Sequence, residues 1–360
     1  MLFGYPISAT EENWLHECLY EILQLIHTCV ETGKPLPKWP ELIPEAHRDI
    51  LQGRPALRNK LNAYEKALAK LGIKKRKQVL QALNDQNEIA FLLCCQHNCE
   101  AINDLPKTIR KPVMDLFAYA FDILTGLGVR DSQYKAIYEV MRHRVCPFCG
   151  CEPFKALGSR REALDHYLLE SKYPFAASNL RNLVPMCHTC NSGYKLSQDM
   201  LYRNDGTRRK SFDPYNCTGT RLSLEQSQPF AGTVTPIGQL PRWQIEFEPN
   251  TEEVLTWNQV FHIRERYQND VLDAEFKTWL RDFNSWCKSA KFLPTSNQEL
   301  LDAINRYATL YELMGISERA FLKAAVFRML HTHCEQGNQQ LISFLMSRVN
   351  PGQTNLLQAP

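Results

Sequence analysis

Between Trp14 and Cys29 apolar residues recur as Leu15, Cys18, Leu19, Ile22, Leu25, Ile26 and Cys29, the three-and-four spacing of a helix that buries one face. The segment "GKPLPKWPELIP" breaks the pattern with prolines, which lack the backbone N–H and restrict the residue before them, so an extended connector is predicted there. Helical spacing returns over Pro55–Leu83, Glu88–Asn98, Lys111–Leu124 and Asp131–Met141, defining a helical N-terminal lobe, residues 1–141. From Arg142 the pattern gives way to loops, cysteines and basic residues, which marks residues 142–210 as the candidate functional module.

A turn-rich connector, 211–256, contains "RWQIEFEP", where Trp243, Ile245 and Phe247 alternate with polar residues as a half-buried strand requires. The C-terminal lobe, 257–349, is again helical. Leu272, Phe276, Trp279, Phe283 and Trp286 make one apolar stripe, and Ser296 with Glu299 forms a capping signature for a helix that Gly315 can end. The predicted class is therefore mainly α: two helical lobes flank a small module, with a short β element after it.

Length and composition narrow the picture. A chain of 360 residues, 44% hydrophobic, can build more than one core. No apolar run approaches the roughly 18 residues needed to span a bilayer, and the N-terminal stretch lacks a basic region followed by an apolar block. A cytoplasmic protein with no membrane partner is expected. Thirteen cysteines, an odd count spread through helical segments as well as two C-x-x-C pairs, point to reduced thiols and metal ligation in place of a disulfide framework. A net charge of +3 does not by itself argue for a nucleic-acid partner. The run Lys74–Lys77 is a local basic cluster, though such runs are usually solvated helix faces. His97 among Cys94, Cys95 and Cys99 reads as packing, because helical spacing splits these residues between faces. There is no G-x-x-x-x-G-K-[ST] and no G-x-S-x-G, so nucleotide-driven control would have to come from another protein.

The chemistry-bearing residues gather inside the module. Cys146-x2-Cys149 and Cys187-x2-Cys190 supply four thiolates, and a C-x-x-C turn lets two sulfurs face one ion, so a closed structural Zn²⁺ site is expected. Cys151 and His188 stand near enough in sequence to compete as ligands, and four free structural cysteines are the alternative.

Framed by these pairs is "LDHYLLESKYPFAASNLRNLVPMCHTCNSGYK", Leu164 to Lys195. From Cys146 to Lys195 the chain resembles the HNH, or ββα-metal, endonuclease family in its zinc-knuckle subgroup. The resemblance implies that His166 ends a strand, Asn182 lies in the return strand and Asn191 opens the closing helix, with Asp165 and Asn191 ligating one catalytic cation. Asn191 stands where the family name has its last His, and an amide oxygen in place of an imidazole favours Mg²⁺ or Mn²⁺. The residue types suit phosphodiester hydrolysis independently of the name. An imidazole at His166 can take a proton from water, while Asp165 and Asn191 offer hard oxygens to a cation that stabilises developing charge. Asn182 is expected to bridge backbone groups and hold the His166 loop. Lys172, Arg181 and Lys195 are candidate phosphate contacts, or else ordinary surface charge.

The expected substrate is DNA, with RNA open. The helical lobes are expected to restrain the nuclease and to dock a protein partner, an ATPase in the setting of an anti-phage defence effector. The competing reading is a zinc-stabilised adaptor that binds nucleic acid or protein without cutting. A binding scaffold, however, has no physical need for a base beside two oxygen ligands.

Overall fold

A computed structural model describes residues 1–159, 164–235 and 238–350. The chain is mainly helical. Contacts divide it into two compact units: residues 3–142 with 154–218, and residues 143–153 with the chain from 219 onward, Met1 belonging to the first and Leu2 to the second.

In the first unit, the helix Trp14–Thr32 ends at Gly33, whose φ of 69° suits a residue without Cβ. Leu15, Leu19, Ile22 and Ile26 are buried, whereas Leu25, at the edge of the predicted stripe, is exposed. The stretch read as one helix over Pro55–Leu83 is two helices, Pro55–Ala69 and Ile73–Asp85, separated at Gly72, which is extended with ψ 162°. Glycine is the weakest ordinary residue in a helix interior, so the break falls where continuation is least favoured. The helix expected over Glu88–Asn98 closes early, at Ile89–Leu93; Cys95 takes φ 63°, and the N–H groups of Gln96 and His97 both turn back to Phe91 O. Helices Lys107–Gly126 and Val129–Val140 follow, separated by Gly128 at φ 75°.

The core these helices build does not stop at the module. Leu164, Phe175, Ala177, Leu180 and Leu183 belong to the same buried cluster as Leu19, Leu61, Leu116 and Phe117. Burying each large apolar side chain contributes about 1.5–3 kcal/mol, so the helices are a substantial part of what fixes the hairpin. Of the Lys74–Lys77 run, Lys74, Lys75 and Lys77 are exposed, while Arg76 turns back to cap Leu68 O, Ala69 O and Val30 O.

In the second unit, strand Arg221–Ser223 pairs antiparallel with Glu246–Glu248, Leu222 opposite Phe247. Trp243, Ile245 and Phe247 are all buried, as their alternation predicts. Phe276, Trp279 and Phe283 bury one face of helix Asp273–Ser289. The helix Asn297–Met314 opens where expected: Ser296 Oγ accepts from Glu299 N at 3.3 Å, and the Glu299 carboxylate accepts from Thr295 N at 2.6 Å. Gly315, at φ 66°, ends it. Edge-to-face contacts of Tyr307 with Phe283 and Phe327, at 5.2 and 4.7 Å, pack this helix against its neighbours. No single described helix is long and apolar enough to cross a membrane.

Candidate functional site

The two C-x-x-C segments are shaped by their own backbones. Gly150 N donates to Cys146 O at 2.7 Å with Gly150 at φ 65°, closing a tight turn around the first pair. In the second, Cys190 N points at Cys187 Sγ across 3.4 Å, the N–H to sulfur contact that steadies a thiolate. The ligand atoms of Cys146, Cys149, Cys187 and Cys190 lie within 4.8 Å of one another, and all four residues are buried. Four sulfurs at Zn–S distances of about 2.3 Å would stand somewhat under 4 Å apart, so this cluster can hold a metal ion such as zinc after a small contraction. Cys151 lies outside the set and gives its Sγ to Cys149 O at 3.2 Å. The donor set is closed and soft, which suits a structural ion.

Strand β1, Leu164–His166, pairs antiparallel with β2, Leu183–Pro185, in the register Leu164↔Pro185, Asp165↔Val184 and His166↔Leu183. A π-helical turn, Thr189–Lys195, follows β2 and carries Asn191 and Lys195. Asn182 stands immediately before β2, fully buried. Its Oδ1 accepts from Leu168 N at 2.6 Å and its Nδ2 donates to Leu168 O at 3.0 Å and to Ala176 O at 3.2 Å. One amide thus clamps both sides of the loop that leaves His166, and Tyr167 N adds a bond to Asn182 O at 3.0 Å.

His166 is held from several directions. Its Nε2 lies 3.0 Å from Ala177 O, and because a carbonyl can only accept, Nε2 must carry the ring proton. The lone pair is therefore on Nδ1, which lies 3.5 Å from Glu170 Oε2. The Phe121 ring packs against the imidazole with centroids 4.2 Å apart, and the Arg130 guanidinium covers Phe121 at 3.6 Å. Burial pushes the His166 pKa down from 6.5 to about 4; the Ala177 bond opposes this, and the Lys195 and Arg130 charges reinforce it. The ring is neutral near pH 7 and able to accept a proton.

Beside it, Asp165 Oδ2 lies 2.7 Å from Lys195 Nζ, with Lys195 0% and Asp165 12% exposed. This is an ion pair by distance only, since Oδ2 is buried without an aligned hydrogen bond. The same ammonium donates to His166 O at 2.9 Å. Burial raises the Asp165 pKa, and Lys195 opposes the rise. A buried carboxylate oxygen whose nearest partner is a cation fits a place made for positive charge. Asp165 and the half-buried Asn191 carry the hard oxygens that a Mg²⁺ or Mn²⁺ ion would take.

The basic residues expected at phosphate are all engaged. Lys172 pairs with Asp199 at 2.9 Å while keeping some exposure, and Arg181 pairs with Asp213. For Lys195 the expectation is corrected: its side chain is fully buried against Asp165, so it presents no surface charge to a phosphate. Glu170, Phe121 and Arg130 were missed by sequence reasoning. The spacing D-H-x-x-x-E was the one available sign of Glu170, and nothing in the helical pattern singles out the other two. No protein-family model, no curated protein and no solved structure matches this chain.

The buried imidazoles give the fold a pH dependence. His16 and His27, like His166, are held near pKa 4 against an ordinary 6.5. Burial is the main cause in each; the Asn87 hydrogen bond opposes it at His16, and the Arg76 charge adds to it at His27. A lowered folded pKa means stability that is complete above pH 6.5 and is lost as pH falls towards 4, where the unfolded chain takes up protons that the folded one refuses. Each histidine accounts for on the order of 3 kcal/mol at most across that window. Asp165, with its pKa raised, acts in the opposite direction at the acid end. Urea denaturation is expected to show a marked loss of stability between about pH 7 and pH 4.5, and a flat profile would refute the burial of these rings.

Proposed function

We propose that this chain is a metal-dependent endonuclease of the HNH kind that hydrolyses phosphodiester bonds in DNA. The observation that carries the reading is the state of His166: Nε2 is committed to Ala177 O, so a neutral imidazole offers Nδ1 at the end of β1, one residue from a buried carboxylate. That arrangement suits a general base. Nδ1 takes a proton from the attacking water, and Glu170, 3.5 Å away, is placed to receive it in turn. Asn182 keeps the loop rigid, so the imidazole meets the water in one orientation. Asp165 and Asn191 would hold the divalent cation, which when bound supplies Lewis-acid stabilisation of the phosphoryl charge and the leaving oxygen.

The four-cysteine cluster supports the reading as the scaffold. Its second pair immediately precedes and enters the turn that carries Asn191 and Lys195, so fixing the sulfurs fixes that turn. The helices beyond the hairpin are proposed to restrain the site and to dock a partner, an ATPase, since the chain has no phosphate-binding loop of its own.

Purified protein incubated with supercoiled plasmid, linear duplex DNA and RNA is expected to nick or linearise DNA with Mg²⁺ or Mn²⁺ and to do nothing in EDTA. DNA binding without cleavage under every metal, alone and with co-purifying partners, would favour the non-catalytic adaptor.

A further inference from the structure

We infer that Lys195 is a resident counter-cation that holds the Asp165 carboxylate until a divalent ion takes its place. The inference rests on reading Asp165 as a metal ligand. Lysine is almost never fully buried unless paired, and Lys195 is 0% exposed with two oxygens around its ammonium: Asp165 Oδ2 at 2.7 Å as an ion pair and His166 O, which accepts a hydrogen bond at 2.9 Å. The lysine comes from the same π-helical turn as Asn191, so the cation now beside Asp165 and the second oxygen ligand share one short segment.

Charge accounting explains why such a lysine belongs here. A carboxylate buried to this degree is costly without a positive neighbour, so a metal-free hairpin with an apolar residue at 195 would carry an uncompensated charge next to the base. The ammonium removes that cost. It also excludes a metal from the same oxygen, because an ion ligated to Oδ2 at about 2.0–2.3 Å would stand against a like charge in surroundings too dry to screen it. Metal arrival and lysine departure are therefore one event. Since the ammonium also holds the His166 carbonyl, the exchange changes the support of the strand that carries the base.

The test uses zinc-loaded, full-length protein. Mn²⁺ binding is followed by electron paramagnetic resonance, and lysines are pulse-acetylated with and without saturating Mn²⁺ and quantified by mass spectrometry. Lys195 acetylation is expected to rise about 10-fold on Mn²⁺ binding, while Lys111, already 84% exposed, serves as the unchanged reference. Lys195→Met is expected to bind Mn²⁺ about 10-fold more tightly than the parent, and Asp165→Asn to lose that binding. Lys195 that stays protected under saturating Mn²⁺, or a Lys195→Met protein that binds no more tightly, overturns the exchange and leaves the metal site standing. Mn²⁺ binding that does not depend on Asp165 overturns both. If Lys195→Met does not fold, acetylation of the parent protein decides alone.

Discussion

Replacing His166 by Ala is expected to lower DNA cleavage about 100- to 10,000-fold, the range that a positioned general base contributes. The ring has a fixed orientation at the end of β1, since Ala177 O claims Nε2 and leaves the lone pair on Nδ1, beside Glu170. Zinc content should be unchanged, because the four sulfurs belong to other residues. DNA affinity should change little, as a neutral imidazole makes no charge contact with phosphate. Single-turnover cleavage, metal analysis and filter binding on matched preparations separate the three. A His166→Ala protein that cuts as fast as its parent would remove the base from the mechanism. Glu170→Gln should cost less than His166→Ala, because in the proposed reaction Glu170 acts only after Nδ1 has taken the proton.

The second large effect concerns the thiolates. One zinc per chain is expected, and Cys149→Ser should lose it. Binding of a structural zinc by four thiolates is worth about 10–16 kcal/mol in small domains, comparable with the whole stability of a typical fold. Partial loss of that term should lower the melting temperature by about 10 °C or more, at about 2–4 °C for each kcal/mol. Cleavage should fall in parallel, because the turn bearing Asn191 and Lys195 begins within the second cysteine pair. Elemental analysis and thermal unfolding measure this directly. If Cys149→Ser keeps its metal and its melting temperature, the cluster is four packed cysteines and nothing more.

What could be read from the chain and what could not divide along a physical line. Periodicity reports local burial, so the helices around Leu19, Phe283 and Tyr307 and the alternating Trp243, Ile245 and Phe247 were legible. The four-cysteine cluster was legible for a related reason: a C-x-x-C turn needs only local backbone geometry to aim its sulfurs. The break at Gly72 was missed because the apolar spacing runs on through it, and only the glycine marks the lost continuity. Lys195 was misread because charge in a sequence signals solvent by default, and nothing short of three-dimensional contact shows that Asp165 draws it inside. Phe121 and Arg130 were unreadable as site residues. They sit on helices whose pattern reports packing, and their closeness to His166 depends on contacts far apart in sequence.

The buried cluster that joins Phe175, Leu180 and Leu183 to Leu19 and Phe117 bears on how such a chain can be inherited. The proposed site residues fit within one short stretch, yet the surface that keeps them in place is spread over helices from Trp14–Thr32 to Lys107–Gly126. A recombination that moved Leu164–Lys195 alone would deliver the reactive groups and leave their foundation behind. What would have to travel with the hairpin is the apolar face of the helices it packs on, Leu19, Leu116 and Phe117 among them.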